Sequence, residues 1–190
     1  MTCFLLPILT MQKKTISIEK ANLFALLFMV LTSAPVVLVY YLIWGTLKVE
    51  LVPKDFSVIF VFLFVVFASI VIHELIHGAI FAYFAKDKWR SVKFGVLWTK
   101  LTPYAHCRTP LFVNQYMLAV VMPGVVLGIL PVIIGLSIGS NMFLYYGLLM
   151  IMAAAGDFLI FVLLLKTPKD KKILDHDSEM GFYVLDEDTK

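Results

Sequence analysis

Charge is what this chain has least of. Only 15% of its 190 residues are Asp, Glu, Lys or Arg, against about a quarter in a soluble domain. The shortage is concentrated. Ala21–Trp44 carries no charge over 24 residues, Phe56–Ala85 carries only Glu74 over 30, and Thr109–Gly156 carries none over 48. Apolar residues in such blocks, rather than in periodic stripes, exclude an ordinary soluble domain. Cysteine is scarce too: Cys3 and Cys107 are too few for a disulfide framework. Internal repeats and low-complexity stretches are absent. The opening "MTCFLLPILT" lacks the basic n-region and small-residue cleavage site of a signal peptide. Residues 1–10 are therefore expected to be dispensable, with Met11 as the more usual lead into a first span.

What is present is enough apolar length to cross a membrane repeatedly. A helix spanning the roughly 30 Å hydrocarbon core needs about 20 apolar residues. The blocks predict an all-α membrane protein in a single integral domain, 1–190, with spans at about 21–44, 56–85, 115–136 and 142–165. Span one holds Pro35, with Tyr40, Tyr41 and Trp44 expected at the outer interface. Pro123-Gly124 and Pro131 predict a kinked or interrupted span three.

The basic residues set the orientation. Lys13, Lys14 and Lys20 precede span one; Lys86, Lys88, Arg90, Lys93, Lys100 and Arg108 lie between spans two and three against one acid, Asp87; Lys166, Lys169, Lys171 and Lys172 follow span four. The positive-inside bias then predicts a multi-pass protein of the cell membrane with both termini cytoplasmic. The same flanking role accounts for these cations without nucleic acid, which is not expected as a partner. The lipid bilayer is; oligomeric state is left open.

Two connecting segments have patterns of their own. Within the cytoplasmic segment 88–108, Val92, Phe94, Val96 and Trp98 alternate with Lys93, Gly95 and Leu97, predicting a strand that Thr99-Lys100 turns back as a β-hairpin. That strand is either a plain linker or an edge on which an extended peptide can pair. The tail 166–190 is expected to be solvated and cytoplasmic, His176 included, with a short strand at Gly181–Leu185 as the alternative.

The chemistry lies in span two, where His73-Glu74-Leu75-Ile76-His77 forms an HExxH pattern. Residues four apart share a helix face, so two imidazoles can ligate one metal. Glu74 lies beside them, placed to take a proton from water and deliver it to a leaving amine. The competing readings are interhelical hydrogen bonding or a proton relay. A catalytic zinc usually has three protein ligands. Of the 13 acids, only Glu74 and Asp157 lie inside apolar runs, and no Lys or Arg accompanies Asp157. At 1.5 Å per residue, Asp157 and His77 both lie about 10–12 Å from the cytoplasmic end of their spans. The expected metal ligands are therefore His73, His77 and Asp157, with Glu74 as catalytic base. Ala153–Gly156 would let the helices approach closely. Asp157 as a protonated structural acid is the alternative. His106-Cys107 is a weaker ligand source, Asn114 a candidate for a substrate carbonyl, and Gly78 a close-packing position.

"HELIHG" at His73–Gly78, "GD" at Gly156-Asp157 and the tail "HDSEMGFYV" resemble the putative zincin peptidase family of small bacterial multi-pass membrane proteins. The resemblance runs from span two onwards. It is also similar in logic to site-2 proteases, which place HExxH in one membrane helix and an aspartate in a later one. There the aspartate sits in a DG pair; here the order is reversed. The resemblance implies a zinc-dependent intramembrane or membrane-surface peptidase. It would use one Zn2+ ion, the ligand set also accepting other divalent metals, and its substrate would be a membrane-protein or juxtamembrane peptide. The rivals are a catalytically silent metal-binding scaffold or chaperone, and a small metal or proton carrier. The intact Glu74 argues against the first and the lack of inverted repeats against the second.

Overall fold

A computed structural model describes residues 10–47, 56–98, 102–176 and 181–186. Strand β1 (Thr10–Thr15) leads into helices α1 (Ile18–Trp44) and α2 (Phe56–Phe84). A 3-10 turn at Lys88–Ser91 opens a hairpin of β2 (Val92–Leu97) and β3 (Thr102–Cys107). The short β4 (Leu111–Phe112) feeds α3 (Val113–Pro123), a π-helical stretch at Gly124–Ile129, and α4 (Leu130–Ile138). Helices α5 (Asn141–Ala153) and α6 (Ala155–Leu165) follow, then β5 (Lys172–Asp175) and β6 (Gly181–Asp186). Residues 1–9, and with them nearly all of the segment expected to be dispensable, lie outside the described residues; so do Thr99-Lys100.

The chain is a membrane protein. Glu19–Trp44, Ser57–Phe84 and Val113–Ile138 are each long and apolar enough to cross a bilayer. The fourth predicted span is not one straight helix: α5 and α6 qualify only together, bent by 56°. No proline causes this break. Ala154 sits at φ −83°, ψ 9°, and its N–H reaches back to the carbonyls of Met150 and Met152, so the helical ladder tightens and restarts in a new direction. The interruption expected near Pro123 and Pro131 takes the opposite form. There the ladder widens, with Leu130 N–H bonding the Val125 carbonyl five residues back, and this loosening accommodates a proline that has no N–H to give.

Two clusters hold the helices together. One joins Phe81 of α2, Tyr116 and Val120 of α3, and Leu164 of α6 to Ile173 and Phe182. The other joins Tyr40 of α1 to Val132, Leu144 and Ile151. Tyr40 is therefore not an interfacial anchor as expected: it is 1% exposed, and its hydroxyl donates to the Gly139 carbonyl at 2.6 Å. The gap between α4 and α5 closes at Gly139, where φ is 70° and a Cβ would meet the Trp44 ring. Glycine meets both demands.

The all-α expectation and the solvated tail are both corrected by a four-stranded antiparallel sheet, ordered β1-β6-β5-β4. Residues 10–15 pair along their whole length with 181–186. The period-2 pattern of the tail drives this, since Phe182 and Val184 are buried two apart on one face. The hairpin forms a separate two-stranded sheet, with Phe94 opposite Ala105 and Lys93 opposite His106. It docks on α2 through the Phe94 ring, which occupies the space a side chain at Gly78 would need. Gly78 does serve close packing, though against the hairpin.

Candidate metal centre

Helix α2 carries His73, Glu74 and His77 on adjoining turns, and α6 brings Asp157 to them. His73 Nε2 lies 3.0 Å from Asp157 Oδ2 and 3.1 Å from His77 Nε2. His77 Nε2 lies 3.5 Å from Asp157 Oδ1. His77 Nδ1 is 2.8 Å from the Ala119 carbonyl of α3. A carbonyl only accepts, so Nδ1 carries a proton, which leaves Nε2, facing His73 and Asp157, as the ring atom placed to ligate.

The bend between α5 and α6 has a direct consequence for Asp157. Because α6 restarts at Ala155, Asp157 falls in its first turn, where the positive end of the helix dipole favours a carboxylate. A straight span four would have denied it this. The small residues nearby divide: Ala154 and Ala155 are buried, while a Cβ at Gly156 would meet nothing, so Gly156 is not a packing requirement.

The three donor groups fit a divalent cation. Their ligand atoms all lie within 4.8 Å of one another. A tetrahedral zinc with bonds of about 2.0–2.1 Å spaces its ligand atoms about 3.3 Å apart. His73 Nε2 lies 3.0 Å from Asp157 Oδ2 and 3.1 Å from His77 Nε2, and His77 Nε2 lies 3.5 Å from the other Asp157 oxygen, all close to that spacing. Two imidazole nitrogens and a carboxylate facing one another are the donor set of a divalent-cation site.

A cavity of about 350 Å³ opens beside these groups, lined by Glu74, His77 and Asp157, by β3 from Thr102 to His106, and by Asp175, His176 and Gly181. The Glu74 carboxylate meets the backbone N–H of Ala105 as an acceptor. The strand geometry explains this contact. Cys107 N–H points away from β2, donating to Asp175 Oδ2 at 2.7 Å. Backbone groups alternate along a strand, so Ala105, two residues earlier, faces the same way. The strand edge turned toward the cavity is thus that of β3, whereas the sequence pointed to the Val92–Trp98 strand.

Asp175 is the residue that the sequence did not mark. Its other oxygen accepts from the Tyr116 hydroxyl, and His106 Nδ1 lies 3.7 Å away. Burial pushes its carboxyl above the usual carboxylate range, while the bonds from Tyr116 and Cys107 pull the other way. It ties the tail to α3 and to β3 at the mouth of the cavity. Among several acids in a polar tail, only its place beside the apolar Ile173-Leu174 distinguishes it.

The weaker candidates separate. Among the described residues, His106 and Cys107 join no metal-ligand cluster; Cys107 is buried, its thiol donates to the Thr109 carbonyl at 3.3 Å, and burial raises its pKa. Asn114 is exposed and does not line the cavity. His176 is not solvated as expected. It stacks on Tyr183 with ring centres 4.8 Å apart, at the cavity wall.

Fold and site together define a helical membrane protein with a candidate metal centre in its apolar region. The chain belongs to the putative zincin peptidase family, whose model matches residues 66–172, more than half of its length. No curated protein and no solved structure matches it.

Proposed function

We propose that this protein is a zinc-dependent, membrane-embedded peptidase that hydrolyses membrane-associated protein substrates near the cytoplasmic face of the bacterial cell membrane. The observation that carries this reading is the convergence of His73, His77 and Asp157 beside a cavity lined by His77, Asp157 and Glu74. A divalent cation held by the three ligands would supply Lewis-acid polarisation of the scissile carbonyl and a lowered pKa for water. Glu74 takes the proton from the attacking water and passes it to the leaving amine. Ala119 holds His77 in the ligating tautomer through its carbonyl. An extended substrate pairs along the cavity edge of β3, taking over the Ala105 N–H and releasing Glu74 for proton transfer.

Four membrane crossings are supported by the sheet itself. Hydrogen-bonded strands lie on one side of a bilayer, and β1, β4, β5 and β6 share one sheet. An even number of crossings between β1 and β4, and between β4 and β5, fits that arrangement. Helices α1 and α2 supply the first pair; the α3–α4 rod and the bent α5–α6 unit supply the second. The flanking lysines support the cytoplasm as that side.

The test is Glu74→Gln in purified protein reconstituted into bilayers. Cleavage of a membrane-protein substrate should fall by about 10²–10⁴-fold while zinc content by elemental analysis stays unchanged. Equal activity in the variant removes Glu74 from catalysis. A wild type that holds metal but cleaves nothing favours the scaffold, and metal flux into liposomes favours the carrier.

A further inference from the structure

The hairpin carries a second hollow that the proposed reaction does not use. Its volume is about 250 Å³, and Lys93, Tyr104, His106 and Arg108 line it. Lys93 sits directly across from His106 in the β2–β3 register. Tyr104 lies two residues before His106 on β3, and Arg108 two residues after it, just past the strand's end, where its N–H bond to the Ser91 carbonyl continues the ladder. All four therefore belong to one face of the hairpin. The opposite face carries Phe94 and Ala105. The Tyr104 ring lies over Gly95, filling the space of any side chain there, which fixes it as the floor of the hollow. At the far end, the Arg108 backbone N–H bonds the Ser91 carbonyl at 2.8 Å, anchoring that end of β3.

Electrostatically the hollow is one-sided. Two permanent cations and an imidazole converge, and among the described residues no acid lines it. Like charges set side by side on a strand pair oppose one another, and an anion between them removes that conflict. Asp175 approaches His106 from behind, but it lines the catalytic cavity rather than this hollow and is already engaged by Tyr116 and the Cys107 N–H. Tyr104 and His106 line both spaces, so the hollow adjoins the proposed catalytic cavity across a shared wall. A peptide extended along β3 sends alternate side chains to the two faces of the hairpin. Those on one face meet the metal centre; their neighbours meet Lys93, His106 and Arg108.

We infer that this hollow is a specificity subsite for an acidic side chain, Asp or Glu, next to the bond that is cut. The inference rests on the peptidase reading for its substrate and names the class of peptide chosen. A carboxylate is matched by the planar fork of Arg108 and the point charge of Lys93.

Binding tests it without turnover. Zinc-loaded full-length Glu74→Gln protein in zwitterionic nanodiscs is titrated with fluorescent peptides that differ only by Glu, Gln or Lys at one position. The Glu peptide should bind about tenfold tighter than the Gln peptide, as one charge-assisted contact allows. Lys93→Gln with Arg108→Gln should erase that preference and leave the Gln peptide's affinity unchanged; Lys93→Glu with Arg108→Glu should turn it toward the Lys peptide. Equal binding of all three peptides overturns the inference. So does loss of affinity for anionic-lipid vesicles in the double variant with no peptide preference, which would make the hollow a headgroup site. Cleavage by the wild type is read separately on the same peptides. A retained preference without cleavage sinks the peptidase reading alone, and cleavage without preference sinks the subsite alone.

Discussion

Phe64 and Phe81 stand on the same helix, yet one is 71% exposed and the other 2%. The first half of α2 presents Phe60, Phe62, Phe64 and Phe67 outward, with almost nothing of the protein against them. Its second half places His77, Phe81 and Ala82 against α3 and the sheet. Both halves are mainly apolar, but the second adds His73, Glu74 and His77, and it is the second that has protein around it. Lipid satisfies the first half without partners, so its sequence needs only to be apolar. The second half must match particular neighbours, and there the polar residues become affordable because each meets a partner.

That contrast can be broken hardest at the metal ligands. His77→Ala and Asp157→Ala should each lower bound zinc below one ion in ten proteins by elemental analysis, while Phe64→Ala leaves it full. Unchanged metal in Asp157→Ala would move the third ligand elsewhere. The two phenylalanines give the next largest effect. Phe81→Ala should cost about 3–5 kcal/mol, as buried aromatic truncations do, whereas Phe64→Ala should change stability by less than about 0.5 kcal/mol. Reversible denaturation in mixed micelles distinguishes them, and equal losses would erase the proposed division of α2.

Asp175 extends the comparison to the tail. Asp175→Ala leaves the Tyr116 hydroxyl and the Cys107 N–H without their acceptor, which should weaken docking of β5 by about 1–3 kcal/mol. Faster hydrogen exchange confined to 172–175 and 181–186 is the expected sign. The smallest effect is one of pH. The Asp175 carboxyl is raised by burial, so the folded protein keeps a proton that the unfolded chain releases. Its contribution to stability is fullest below the ordinary value near 4 and is lost as pH rises through the raised folded value. Asp175→Asn should flatten that slope; a slope equal to wild type would assign it to another group.

The two halves of α2 also mark how far the sequence could be followed. Lipid-facing length is written locally, so α1, α2 and the α3–α4 rod stand out as long runs with little or no charge. His73, Glu74 and His77 are spaced along one helix, and Asp157 could be matched to them by depth because both lie on helices of known rise. What was not legible depends on partners distant in the chain. Strand β6 is central only because residues 10–15 arrive from the other end, and β4 is two residues long, too short for any periodicity. The break at Ala154 carries no proline or glycine signal of its own. It nonetheless decides that Asp157 begins a helix instead of lying in the middle of one.

The pairing of residues 10–15 with 181–186 also imposes an order in time. As the chain emerges from the ribosome, residues 10–15 are made before α1, and their partner strand only after α6. The strand must wait through the insertion of every intervening span. The cavity wall that includes Asp175, His176 and Gly181 is completed only after that wait, when the final strand closes the sheet. A nascent copy that has inserted α2 but has not yet made residues 181–186 would therefore hold HELIH without a finished chamber around it.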